Sequence, residues 1–170
     1  MRIIISDIKV LENVKFEKLE KLDLNLNKIS DINILEKVNF KELKELYLGC
    51  NKISDIKALE NVRFEKLEQL YLSYNKISDI NILEKVSFEK LTKLNLRSNY
   101  ISNIDILEKV NFKELKILFL EKNKITDIKV LEKVKFEKLE KIFLSGNKID
   151  KVKYSSLILK LKSKIKAFDI

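Results

Sequence analysis

Tyr47, Tyr71, Phe119 and Phe143 fall on one register of a 24-residue spacing, with Asn95 on the step between the two pairs and Asp23 one step before them. Side chains of these types do no covalent chemistry. Set in a row on a surface, they offer large apolar area at little entropic cost, which is the chemistry of holding a partner. Two flanking columns share the spacing. Lys21, Glu45, Gln69, Lys93, Ile117 and Lys141 stand two residues before, and Asn25, Gly49, Ser73, Arg97, Glu121 and Ser145 two residues after. The groups that support catalysis are scarce by comparison. The chain has no His and one Cys, Cys50, so the usual general base and any Cys/His zinc set are missing. Asp and Glu recur with the same period instead of forming a pair set apart for acid and base work. No enzyme, metal or cofactor is therefore expected, and the candidate site is a binding face.

The elements that would position these residues follow from the period. Leu19, Leu43, Leu67, Leu91, Leu115 and Leu139 are 24 residues apart, and each opens the pattern L-x-x-L-x-L-x-x-N-x-I, complete in Leu43 to Ile53 and altered only at Ile142. Alternation around Leu46 and Leu48 is the period-2 signal of a strand. Ile56, Leu59 and Val62 then recur every third residue, the spacing of a short helix or 3₁₀ turn. Ser or Asp precedes that turn, where its oxygen can accept from unpaired N–H groups. Each repeat thus reads as strand, turn and short helix. With the leucines inward, the Tyr and Phe register faces outward from the sheet. Asn27, Asn51, Asn75, Asn99, Asn123 and Asn147 stand where the chain leaves the strand, and are expected to form a ladder that satisfies backbone groups of neighbouring coils. Phe16, Phe40, Phe64, Phe88, Phe112 and Phe136 are expected to stack as a core spine.

These repeats resemble the leucine-rich-repeat family, most closely the Ile-x-Asp-Ile style of phosphatase-regulatory subunits and bacterial internalins, with a unit about two residues longer, as in Ile53-Ser54-Asp55-Ile56. The resemblance covers nearly the whole chain. It implies an α/β fold: a right-handed solenoid with a concave parallel sheet, short helices or 3₁₀ turns on the convex side, and a protein-binding role.

The reading divides residues 1–170 of this single domain into an N-terminal half repeat (1–18), five full repeats (19–138), a final strand and turn (139–149) and a C-terminal capping helix (150–170). The cap is predicted from Tyr154, Leu157, Ile158, Leu161, Ile165 and Phe168 at helical spacing. At the other end the chain enters mid-repeat, and either Met1 to Ile5, with β-branched Ile3, Ile4 and Ile5, plugs the edge as a short strand beside residues 21–25, the favoured expectation, or the chain associates through that end.

Charge refines the expected partner. The chain carries a formal net charge of +9. The strand and turn columns hold ten basic residues against Asp23, Glu45 and Glu121, and Lys151 to Ile170 holds six lysines against Asp169. A basic face steers an acidic partner. The expected function is a scaffold or regulatory subunit binding a protein partner at Tyr47, Tyr71, Tyr74, Asn95, Arg97, Tyr100, Ile117, Phe119, Glu121 and Phe143. Tyr74 is expected to cluster with Tyr47 and Tyr71, and Ile117 with Phe119 and Phe143. The alternative is binding of an anionic polymer or membrane surface through the basic concave face and the Lys-rich C-terminal helix. Nucleic acid and membrane are the less favoured partners, since no nucleic-acid motif is present and the apolar side of the helix is needed as a cap. A monomer is expected. The absence of a signal-length apolar start and of paired cysteines points to the cytoplasm, with the nucleus as second choice, and to a free surface thiol at Cys50.

Overall fold

The computed structural model describes residues 4–170. One seven-stranded sheet runs in sequence order: β1 (Lys21–Asp23), β2 (Glu45–Tyr47), β3 (Gln69–Tyr71), β4 (Lys93–Asn95), β5 (Ile117–Phe119), β6 (Lys141–Phe143) and β7 (Ala167–Asp169). Every pairing is parallel. Leu22, Leu46, Leu70, Leu94, Leu118 and Ile142 are in register, one coil apart, so the period of the sequence becomes the stacking of the solenoid. Between strands the chain forms 3₁₀ turns at Lys9–Asn13, Asn33–Glu36, Lys57–Glu60, Asn81–Glu84, Asp105–Glu108 and Lys129–Glu132. Three residues per turn put Ile56, Leu59 and Val62 on one inward side, all buried. Asp31, Asp55, Asp79 and Asp127, each one residue before the N-cap isoleucine, accept from the first N–H of the turn at 2.8 Å, and Asn103 does the same at 2.7 Å.

The asparagine ladder forms as expected. Asn99 is buried, its Nδ2 donates to Leu72 O and Leu96 O at 3.0 Å, and its Oδ1 accepts from Ile77 N–H at 3.0 Å. Asn51, Asn75, Asn123 and Asn147 repeat the arrangement. Each amide thus ties its own turn to the preceding coil. The phenylalanine spine holds in the middle, where Phe40, Phe64, Phe88 and Phe112 are buried, with Phe40 and Phe64 centroids 6.4 Å apart. It frays at the ends. Phe16 is 49% exposed, with a stacked phenylalanine on one side only, and Phe136 is half-buried, where a helix instead of a further coil follows.

Both ends differ from expectation. The capping helix α1 is Ser155–Lys164, shorter than 150–170; it buries Ile158 and Leu161 on the last coil, and Ile165 is already extended. The chain then returns as β7, with Ile142 opposite Phe168, Leu144 N–H bonded to Asp169 O at 2.7 Å and Ala167 N–H to Glu140 O at 3.0 Å. A strand that would otherwise leave β6 with an unpaired edge wins over continued helix. At the N-terminus, Ile5 N–H donates to Asn27 Oδ1 and Lys28 N–H to Ile5 O, both at 2.8 Å. These are the bonds that Ile29 makes to Asn51 and Lys52. Ile5 therefore sits one coil ahead of Ile29, against 27–28, and not beside 21–25. The rest of the expected plug, Met1 to Ile3, lies outside the described residues.

Two ladders of ion pairs lie away from the sheet. Glu12–Lys37 (3.1 Å), Glu60–Lys85 (3.3 Å), Glu84–Lys109 (3.9 Å) and Glu108–Lys133 (3.6 Å) join successive 3₁₀ segments. Glu20–Lys44, Glu42–Lys66 and Glu114–Lys138, at 3.0, 2.6 and 2.6 Å, join the segments that lead into the strands.

Candidate functional site

Because the inward leucines alternate with outward residues, the parallel register places the Tyr and Phe column on the outer face of the sheet. Tyr47 and Tyr71 stack with centroids 4.7 Å apart and planes 6° from parallel, and Phe119 and Phe143 stack at 5.0 Å and 8°. Asn95 lies on the strand between them. Each ring of these pairs is half-buried, because its neighbour covers one face. Lys21 Nζ sits 4.6 Å from the Tyr47 centroid. Tyr47 Oη donates to Glu45 Oε2 at 2.9 Å and Tyr71 Oη to Gln69 Oε1 at 3.0 Å, which fixes the ring directions. Burial first, then the bond to the Glu45 carboxylate, pushes the Tyr47 phenol up to about 12. Tyr71 is raised too, by burial and then by the charge of Glu45.

The ten expected residues divide into three groups. Tyr47, Tyr71, Asn95, Ile117, Phe119 and Phe143 share the sheet face. Arg97 and Glu121 lie at its edge as a pair, with Arg97 Nη1 3.7 Å from Glu121 Oε1 and Asn95 Oδ1 accepting from Arg97 N–H at 3.0 Å. Glu121 is a correction to its expected surface role. It is only 8% exposed and is paired with Arg97. Tyr74 and Tyr100 form the third group, on the turns, each 48% exposed. Tyr74 does not join the Tyr47–Tyr71 stack: its ring faces the Arg97 guanidinium at 5.9 Å. Lys124 Nζ lies 4.6 Å from the Tyr100 centroid.

The separation of Tyr74 from the stack has a backbone cause that the residue types did not signal. Leu26, Cys50, Tyr74, Ser98 and Lys122 all have left-handed φ values, between 53° and 58°, and Gly146 completes the column at 75°. This turn re-aims the side chain off the sheet. Lys21, from the column before the tyrosines, joins the site as well, its ammonium 4.6 Å from the Tyr47 centroid and 3.7 Å from Glu45 Oε2. Cys50 is a free thiol, half-buried. Among the described residues no group of three or more His, Cys, Asp or Glu is placed to hold a metal ion, and no helix is long and apolar enough to cross a membrane.

Comparison with known proteins places this geometry. Models described as leucine-rich repeat match residues 41–101 and 89–149, and a two-copy leucine-rich-repeat model matches 4–61. No curated protein sequence matches. Among solved structures, an internalin from Listeria monocytogenes is 31% identical, with a TM-score of 0.75 over 98% of this chain and 45% of that one. Internalin C2 of the same organism is 23% identical at TM-score 0.66, over 96% of this chain and 74% of that one. The leucine-rich-repeat ectodomain of an Arabidopsis thaliana membrane receptor kinase, solved in complex with Casparian strip integrity factor 2, is 23% identical at TM-score 0.64, over 85% of this chain and 17% of that one. This chain thus spans under half the length of the first internalin.

Proposed function

The chain belongs to the leucine-rich-repeat family, and from that premise we propose that it is a non-catalytic interaction module, a scaffold or regulatory subunit, that holds an acidic protein partner on the concave face of its sheet. Leucine-rich repeats are a general protein-interaction scaffold, and the Arabidopsis relative in fold was solved with a partner bound. The observation that carries the reading is the pair of half-exposed aromatic stacks flanking Asn95 on one face, with Arg97 at its edge. Two apolar platforms with hydrogen-bonding groups between them match the anatomy of a binding hot spot, where rings supply area and the polar groups set register. The rings are already stacked, so little freedom is lost on binding. The excess of lysine on the strand and turn columns steers an acidic surface toward this face. Location in the cytoplasm and a monomeric state belong to the same proposal.

The test is affinity capture from the source cell with the wild-type chain and a Tyr71→Ala/Phe119→Ala variant of checked fold. A protein retained by the wild type and lost from the variant is the expected result. Equal retention by both would move the partner off this face.

A further inference from the structure

Beyond the sheet, the turn that follows each strand forms a rim of its own. The residue after each ladder asparagine is exposed and is Lys28, Lys52, Lys76, Lys124 or Lys148 in five of six coils, with Tyr100 in the remaining one. Lys122, before Asn123, adds a sixth exposed amine. Among the described residues none of these six lysines is in an ion pair, whereas the lysines of the two ladders away from the sheet pair with glutamates of neighbouring coils. The aspartates three residues further along are held in the 3₁₀ starts by their bonds to backbone N–H groups. Three exposed large apolar residues lie here too. Away from the two end coils and the cap they are Leu26, Tyr74 and Tyr100, all on this rim.

We propose that this rim is a second binding strip, which takes an extended acidic polypeptide segment laid across the coils. The inference rests on the reading of the chain as a partner-binding module and adds where an acidic stretch of that partner lies. Coils repeat about every 4.8 Å, and an extended chain rises about 3.3 Å per residue, so a segment of roughly eight residues spans the row of lysines. Carboxylates on alternate residues come within reach of flexible lysine side chains, and the exposed edges of Tyr74 and Tyr100 receive apolar side chains between them. The same rings argue against a single-stranded nucleic acid, which needs open aromatic faces for its bases. Here a face of Tyr100 carries Lys124, and a face of Tyr74 carries Arg97.

The probe is a fluorescein-labelled peptide of about twelve residues with Glu at alternate positions, Leu at two others and Ser elsewhere, read by anisotropy. Lys52→Gln/Lys76→Gln/Lys124→Gln should weaken binding about tenfold or more, while the charge-matched triple Lys18→Gln/Lys90→Gln/Lys113→Gln, on the far side of the coils, should change it less than about threefold. Tyr71→Ala should leave it unchanged. Circular dichroism melting of each variant checks that the fold is kept. Equal loss in the two triples, loss with Tyr71→Ala, or no measurable binding would overturn the proposal. So would tighter binding of an oligothymidylate of similar length or of phosphatidylserine-containing vesicles. Failure of the capture experiment on the concave face would leave these outcomes readable, because the peptide probe is independent of the captured protein.

Discussion

At the scale of single residues, the ladder asparagines and the stacked tyrosines do opposite kinds of work. Asn99 is buried and joins two coils by accepting from Ile77 N–H and donating to Leu72 O and Leu96 O, carbonyls it shares with Asn75 and Asn123. Truncating it leaves Ile77 N–H unpaired in an apolar interior, at about 1–3 kcal/mol, while Leu72 O keeps Asn75 Nδ2 and Leu96 O keeps Asn123 Nδ2. Asn99→Ala is expected to lower unfolding free energy by about 1–3 kcal/mol in urea denaturation, and a change under about 0.5 kcal/mol would show that water replaces the amide. Tyr47 gives a pH test. Its phenol is raised to about 12 in the fold from the ordinary value of 10.0, so between these values the folded chain holds a proton that the unfolded chain has lost. That stabilisation is complete below pH 10 and is lost as pH rises toward 12. Wild type should therefore lose melting temperature more steeply than Tyr47→Phe between about pH 10 and pH 12, and parallel profiles would contradict the assignment. The asparagines and the aromatic register were legible in the sequence, because a 24-residue period writes the same role at the same place. The burial of Glu121 was not, since a charged side chain at an outward strand register gives no sign of it.

At the scale of elements, the strand is set by the alternation of leucines and the 3₁₀ turn by apolar residues at every third position. Both were legible in the sequence. The left-handed turn after each strand was not, because Leu, Cys, Tyr, Ser, Lys and Gly all occupy it and no residue type marks its φ. β7 was also hidden: helical spacing of apolar residues continues through Ile165 to Phe168, and only the open edge of β6 decides for a strand. The phenylalanine column separates position from residue type. Phe88→Ala should cost about 3–5 kcal/mol through lost burial and a cavity, while Phe16→Ala, on a terminal coil, should cost less than half as much. Equal costs, measured by chemical denaturation, would mean that the end coil is covered in solution.

At the scale of the whole molecule, the solenoid concentrates its functions on separate surfaces: ion-pair ladders away from the sheet, aromatic stacks on the sheet face, unpaired lysines on the turn rim. The C-terminal end is closed by α1 and β7. At the other end, Ile4, Ile5, Val10 and Phe16 are exposed apolar residues of the first coil. A monomer is nevertheless expected, since the charged side chains among them disfavour edge pairing. Sedimentation velocity over a wide concentration range should give one species, and a dimer abolished by Ile4→Lys would reverse that expectation. The central claim is that the aromatic stacks of the sheet face hold the partner, and calorimetric titration of the purified captured partner into wild type, Tyr71→Ala and Phe119→Ala tests it most directly. Each substitution is expected to weaken binding by about 1–3 kcal/mol with the melting temperature falling only slightly; wild-type affinity in both variants would contradict the claim.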